Sequence, residues 1–201
     1  MQLAHGDVGV RPLRGRDCAV WCEVRQRNEG WLSRWEGRPP SQPPASWRDR
    51  HSPGVYALML RQQRKEARAG RMLPFAVTVE DRLAGSVTVG GMTRGAFDSA
   101  YVGYWVDERV AGRGVLPTAL ALVLDHCFGP VGLHRVEANV RPENTASRRA
   151  VAKLGFREEG LHRRYLFIDE DWRDHVTCAL LVEDVPAGGV LDTYLAGLPD
   201  R

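Results

Sequence analysis

Between Leu73 and Phe128 the hydrophobic period of the chain changes, and that change restricts the fold more than any other feature. FAVTVE, RLAGSVTVGGM and SAYVGYWV are short, rich in β-branched and aromatic residues, and separated by Glu80-Asp81 and the Arg94-Gly95 region. They read as three strands of an antiparallel meander. VLPTALALVLDHCF follows, and its apolar density predicts a well-buried helix. Pro117 falls in the first turn of that helix, where a missing N–H is harmless. The join is Arg109-Val110-Ala111-Gly112-Arg113-Gly114. A strand that enters a helix through a glycine turn presents several free backbone N–H groups at the positive end of the helix dipole. That arrangement suits a pyrophosphate, because glycine lets the backbone approach without a Cβ in the way. Taken alone, a GxG is more often an ordinary strand–helix turn. Rival phosphate motifs are missing: the chain has neither GxxxxGK[ST] nor GxGxxG.

The flanking segments extend the pattern. Val8 to Leu13 reads as a first strand, and Gly15 to Trp31 carries helical spacing with Ala19, Cys22 and Val24 among its apolar positions. Gly37 to Gly54 holds five of the twelve prolines and reads as a loop. It is either a solvated connector or, given Trp47, a flap near an acceptor. A second helix follows from Val55 to Arg68. Leu133 to Val140 is another strand, with Val136, Ala138 and Val140 on one face and Arg135, Glu137 and Asn139 on the other. Asn144 N-caps the next helix and Gly155 ends it. Phe156–Ile168 and His175–Val182 complete the strands, and from Pro186 a Gly- and Pro-containing tail is expected to be loosely attached. The order β, α, α, β, β, β, α, β, α, β, β predicts an α/β (α+β) chain. Its mixed, mostly antiparallel sheet has about seven strands and about four flanking helices. One domain over 8–185 and a tail over 186–201 are expected.

Composition sets limits on function. With 201 residues, 43% hydrophobic and 26% charged, the chain can bury a sizeable core and is far from the disordered regime. A formal charge of +3 gives no case for direct nucleic-acid binding, although it suits a polyanionic cofactor or an acidic partner. Cys18, Cys22, Cys127 and Cys178 form no CxxC pair and read as reduced core residues. The six histidines show no HExxH or HxxxH spacing, so no metal site is expected. No run approaches a membrane span, and the opening MQLAHGDVGVRPLRGRD lacks an apolar leader core. The expectation is a cytoplasmic enzyme without membrane attachment, either a monomer or a homodimer.

The glycine turn gains weight from its company. R-x-x-G-x-G after a strand is followed by the strand HRVEANV, then Asn144-x-x-Ser147, KLGF-x-E-E-G and the later WRDH. In this constellation the chain resembles the GNAT acetyltransferases, and within them the RimJ/RimL-type ribosomal-protein alanine N-acetyltransferases. The resemblance runs from about Val10 to Glu183 and implies a GNAT fold with a splayed central strand pair. It implies acetyl-CoA as co-substrate, its pyrophosphate held by the backbone of Arg109, Val110, Ala111, Gly112, Arg113 and Gly114. The pantetheine arm would pair with the backbone of Tyr104, Trp105 and Val106, the Val106 N–H serving the thioester oxygen. Asn144 would bond the same arm while capping its helix, a cap contributing about 1 kcal/mol. Ser147 would stand near the cofactor sulfur and stabilise or protonate the leaving thiolate; it is otherwise a polar residue of a first helical turn. Arg113, Arg148 and Arg149 either meet the nucleotide phosphates or form a solvated basic face.

The chemistry implied is direct attack of a neutral amine on the thioester, with no acyl-enzyme. An α-amino group, with a pKa of roughly 7.7–8.0, is far more often neutral at pH 7 than a lysine at about 10.4. The acceptor that the resemblance implies is a protein N-terminus beginning with Ala or Ser, such as that of a ribosomal protein, and such an α-amine can be served by a weak or water-relayed base. Alternatives are a small amine or polyamine, or a catalytically weak acetyl-CoA-binding module. Glu137, on the polar face of its strand, is the first choice of general base; the competing reading is an ion pair with Arg135 or Arg141. The position where some alanine acetyltransferases carry a catalytic Glu is Asn139 here, and that of their acid Tyr is Val151. RimL-like enzymes use a Glu from the later hairpin, where this chain has Leu166 and Phe167; the adjacent Tyr165 is the candidate acid.

Overall fold

The computed structural model describes residues 2–198 apart from 42 and 44. Eight strands form one sheet: β1 (Leu3–His5), β2 (Val8–Pro12), β3 (Leu73–Val79), β4 (Arg82–Thr93), β5 (Ser99–Val106), β6 (Arg135–Val140), β7 (Arg157–Ile168) and β8 (Asp171–Leu181). Their spatial order is β1-β2-β3-β4-β5-β6-β8-β7. Every pairing is antiparallel except β5 with β6. Two hairpins close on residues in the left-handed region, Glu80 and Asp81 at φ 48° and 61°, and Asp169 and Glu170 at φ 52° and 58°. Consecutive left-handed residues match the twist of the strands they join.

Seven α-helical segments lie among the described residues: α1 (Cys18–Arg27), α2 (Glu29–Leu32), α3 (Trp47–Arg50), α4 (Pro53–Arg68), α5 (Val115–Phe128), α6 (Thr145–Ala152) and α7 (Gly189–Ala196). On one face of the sheet, α5 buries Ala119, Leu120, Val123 and Leu124 against Val87, Val89, Val102 and Val136. On the other, α1 and α4 pack Trp21, Val24, Tyr56 and Leu60 over Leu13, Ala76 and Leu83. Alternation along each strand feeds these two layers.

The class expected from the sequence holds, with four corrections. The sheet has eight strands rather than seven, because Leu3–His5 adds an edge strand, and the helical segments outnumber the four expected. The helix expected over 15–31 breaks at Asn28, whose side-chain amide is drawn to the Val24 carbonyl (2.7 Å) and to Asp107 (2.9 Å). The proline-rich stretch contains a one-turn helix, capped by the Ser46 hydroxyl accepting from the Asp49 N–H at 3.1 Å. Trp47 in that turn is buried, its indole N–H donating to the Arg25 carbonyl at 2.6 Å, so the segment is packed rather than a solvated connector. Gln42 and Pro44 of the loop lie outside the described residues.

The fourth correction concerns the tail expected over 186–201. Residues 189–196 form α7, which buries Val190 and Tyr194 in the α5 layer. Asp125 of α5 accepts from the N–H groups of Val190 (2.6 Å) and Leu191 (3.1 Å), fastening the first turn of α7. Residues 199–201 lie outside the described residues. Replacing Tyr194 by Ala is expected to lower stability by about 3 kcal/mol, or roughly 6–12 °C in Tm. Thermal denaturation followed by circular dichroism checks this; an unchanged Tm would show that α7 is not part of the cooperative core.

Candidate active site

The parallel pair keeps register for only three residues, Ser99↔Arg135, Ala100↔Val136 and Tyr101↔Glu137. Beyond them β5 stays on β4, with Gly103 opposite Thr88 and Tyr104 opposite Val87. β6 stays on β8, with Asn139 opposite Thr177. The strands part, and a cleft of about 740 Å³ opens between Val102–Val106 and Ala138–Arg141. Gly112, Gly114, Asn144 and Ser147 also line it, together with the segment 30–37, Leu166, Ile168 and His175.

Backbone orientation follows from one hydrogen bond. The Asp107 N–H donates to the Ala84 carbonyl at 2.7 Å, so the preceding Val106 turns its N–H and carbonyl away from β4, towards the split. The Val106 carbonyl accepts from the Trp31 indole N–H at 3.2 Å, which leaves the Val106 N–H facing the cleft. The cleft is spanned by a side-chain bond between the Tyr104 hydroxyl and Ser147 Oγ at 2.6 Å. Burial pushes the Tyr104 phenol up to about 12, so it keeps its proton throughout the neutral range. Asn144 caps α6, its Oδ1 accepting from the Ser147 N–H at 3.1 Å, which leaves the amide nitrogen as a donor.

The turn from β5 to α5 is held at its first residue. Asp107 is buried and accepts from Arg27, from Asn28 Nδ2 at 2.9 Å and from the Arg109 N–H at 3.3 Å. Asn28 Oδ1 in turn takes the Glu108 N–H at 2.9 Å. Burial opposes the charge on Asp107, but these donors outweigh it and hold its carboxyl below the ordinary carboxylate range. Gly112 and Gly114 sit at φ 76° and 79°, a region that side-chain-bearing residues rarely adopt. A Cβ on Gly114 would also stand 3.3 Å from the Tyr194 hydroxyl, so α7 supports this turn from below. The first α5 bond runs from the Thr118 N–H to the Gly114 carbonyl at 3.1 Å. Ahead of it, the N–H groups of Val115 and Leu116 have no intrahelical partner and sit at the positive end of the dipole.

Of the expected cofactor residues, Trp105, Val106, Val110, Ala111, Gly112, Gly114, Asn144 and Ser147 line the cleft, whereas Arg109 and Arg113 do not. Arg149 lines it; Arg148 is turned to Glu158 at 2.9 Å. Of the three expected catalytic residues only Ser147 lines the cleft. Glu137 and Tyr165 lie outside it but near each other, the Glu137 carboxylate adding to burial in raising the Tyr165 phenol. Glu137 does not line the cleft: strand alternation puts it beside Arg135, whose Nε donates to it at 2.9 Å. Tyr165 does not line it either, and its ring packs 4.9 Å from His162 and 5.7 Å from His175. Sequence reading missed the Tyr104 side chain, whose position opposite Ser147 depends on the split. It assigned no role to His175, the last residue of the WRDH motif. It also missed Arg25, buried with its guanidinium 4.8 Å from the Trp105 ring and 4.9 Å from the Trp47 ring, and paired with Glu36. Those residues come from four distant segments, and no local spacing could have joined them.

Comparison with known proteins agrees with this geometry. The family described as acetyltransferase (GNAT) domain matches residues 7–157. The chain belongs to the GNAT acetyltransferase family. It is 30% identical over 190 residues to the [ribosomal protein uS5]-alanine N-acetyltransferase of Escherichia coli (strain K12), covering 94% of both chains. It superimposes on Mycobacterium smegmatis RimJ, solved in complex with CoA-disulfide, with a TM-score of 0.90 and 43% identity, over 95% of this chain and 89% of that one. Its match to YjcK of Bacillus subtilis (strain 168), described as a probable N-acetyltransferase, is 40% identical over 105 residues. That match covers 52% of this chain and 58% of that protein. This GNAT chain is thus an acyltransferase, with RimJ/RimL-type ribosomal-protein alanine N-acetyltransferases among its relatives.

The Asp107 network gives a pH signature. Because the folded carboxyl lies below its unfolded value of about 3.9, its contribution to stability is complete above that value and is lost as pH falls through the folded one. Asp107→Ala is expected to cost about 3 kcal/mol at pH 7, with the gap to the parent protein closing below about pH 4. Urea titrations at several pH values measure this. A gap independent of pH would mean that the carboxylate charge plays no part.

Proposed function

We propose that this chain moves the acetyl group of acetyl-CoA to the N-terminal α-amino group of a protein that begins with Ala or Ser, with a ribosomal protein as the acceptor class. The observation that carries the reading is the split between β5 and β6, with the Val106 N–H facing it and the glycine turn opening onto it. The residues present fit acetyl-CoA. A Cβ built on Gly103 would meet nothing within 4 Å, so the β5 wall is bare where the strands part. The names of the relatives, a uS5-alanine N-acetyltransferase and a RimJ bound to CoA-disulfide, agree with both substrates.

In this reading the N–H groups of Gly112, Gly114, Val115 and Leu116 hold the pyrophosphate, with Arg109 and Arg113 at its outer side. Trp105 and Asn144 hold the pantetheine arm. The thioester supplies the acetyl group, and the Val106 N–H stabilises the charge that develops on its oxygen. The Tyr104–Ser147 pair serves the leaving thiolate: the phenol donates to Ser147 Oγ, whose own proton is then available to the sulfur. About a tenth of an α-amine is neutral at pH 7, so the attacking nitrogen needs only modest help, whereas a lysine would need much more.

A thiol-release assay against peptides with free Ala or Ser N-termini, and against small amines and polyamines, tests the reading. Release is expected with the peptides and should vanish when their N-termini are blocked. Gly112→Glu should abolish acetyl-CoA binding. Ser147→Ala and Tyr104→Phe should each lower kcat by about 10–100-fold, with the KM for acetyl-CoA changed only a few-fold. Release with small amines alone would overturn the protein-acceptor reading.

A further inference from the structure

We propose that His175 is the general base of this transfer, its Nε2 taking the proton that the acceptor nitrogen sheds as it bonds to the acetyl carbon. The proposal rests on the acetyl-transfer reading above. Alternation along β8 sends Val176, Cys178 and Leu180 into the α5 layer and sends His175 and Thr177 to the opposite face. There Thr177 bonds Asn139 of β6 at 2.6 Å, and the His175 ring lines the same cleft as Tyr104, Val106 and Ser147.

Hydrogen bonding fixes the tautomer. His175 Nδ1 lies 3.0 Å from the Arg173 carbonyl, which can only accept, so Nδ1 carries the proton and Nε2 presents a lone pair. No side chain or backbone group among the described residues bonds Nε2. The other groups near the cleft that could accept a proton at neutral pH are engaged or lie outside it. His162, opposite His175 on β7, does not line the cleft, and its Nδ1 is 3.2 Å from the Thr177 hydroxyl. Glu36 is paired with Arg25 and faces Arg50, Glu143 is exposed and turned to Arg141, and Glu137 is held by Arg135 outside the cleft. Asn139 cannot take a proton at all.

The environment keeps the ring neutral. Burial is the largest influence and lowers the affinity of His175 for a proton; Arg141, the residue after β6, acts in the same direction. The bond to the Arg173 carbonyl and the carboxylates of Glu143 and Asp174 oppose them, and Tyr165 of β7 faces the ring at 5.7 Å. Such a base is free at pH 7 and weaker than an α-amine. It therefore acts after the amine has entered neutral, when attack has made the nitrogen cationic and strongly acidic. The N–C bond forms and the C–S bond breaks. The nitrogen proton passes to Nε2, the thiolate takes the Ser147 proton, and imidazolium and serine re-equilibrate through water. The sum is an amide and a free thiol.

Full-length His175→Gln and His175→Ala, assayed with a free-Ala peptide, are expected to lose about 100-fold in kcat while binding acetyl-CoA within twofold of the parent. Added imidazole should restore part of the activity of His175→Ala and none of that of Ser147→Ala. The unmutated protein supplies a control that does not depend on variant folding. With a peptide bearing an aminooxy group in place of its α-amine, which stays neutral far below the range of an α-amine, kcat should show an acid limb below the pKa of free imidazole and above that of the aminooxy group itself. A flat profile, or variants within threefold of the parent, would overturn the role of His175 and leave acetyl transfer standing. A parent protein that binds acetyl-CoA yet releases no thiol with any amine would overturn both.

Discussion

The site depends on one interrupted pairing. Among the described residues β5 and β6 are the only parallel neighbours in the sheet, and they abandon each other after three residue pairs. Each loses the backbone bonds that the other would have supplied, and buried peptide groups are costly to leave unpaired. The structure answers with side chains. Trp31 takes the Val106 carbonyl, Tyr104 reaches across to Ser147, and Asp107 turns back to β4 and to Asn28. The Val106 N–H is left facing the opening.

The layers beyond the sheet keep that opening in shape. α5 is apolar on nearly every side because it is covered by the sheet on one side and by α7 on the other, which brings Tyr194 under Gly114. On the opposite face, Arg25 is buried between the rings of Trp105 and Trp47, with Glu36 and His51 at its end. That cluster ties α1, the 33–37 segment and α3 to the β5 wall. The same segment is joined to the later hairpin through the Gly37–Ile168 bridge and the Arg38–Glu170 pair. That side of the cleft is thus roofed by packed, bonded chain.

Much of this was legible in the amino-acid order, because the strands and helices that frame the cleft carry strong local patterns. The meander from Phe75 to Val106, the buried helix after Gly114 and the Asn144 cap follow from alternation, apolar density and end chemistry. The glycine turn was separable from an ordinary strand–helix turn only in company with Asn144, Ser147 and the strands between. What escaped depends on tertiary placement. Asn28 breaks a helix because Asp107, 79 residues away, claims its amide. α7 is eight residues long, too short to declare itself without α5. Glu137 looked like a base because its strand borders the cleft, yet the guanidinium two residues away on the same face occupies it. Tyr104 and His175 come to face one space only once the split brings β5, α6 and β8 around it.

Amide hydrogen exchange with and without saturating acetyl-CoA tests the central claim most directly, because it reads the backbone of the split itself. Added protection is expected in peptides covering 102–106, 112–118 and 139–147, with little change in α4 or β1. If those three segments exchange as before while protection falls elsewhere, the opening between β5 and β6 is not the acyl-donor site.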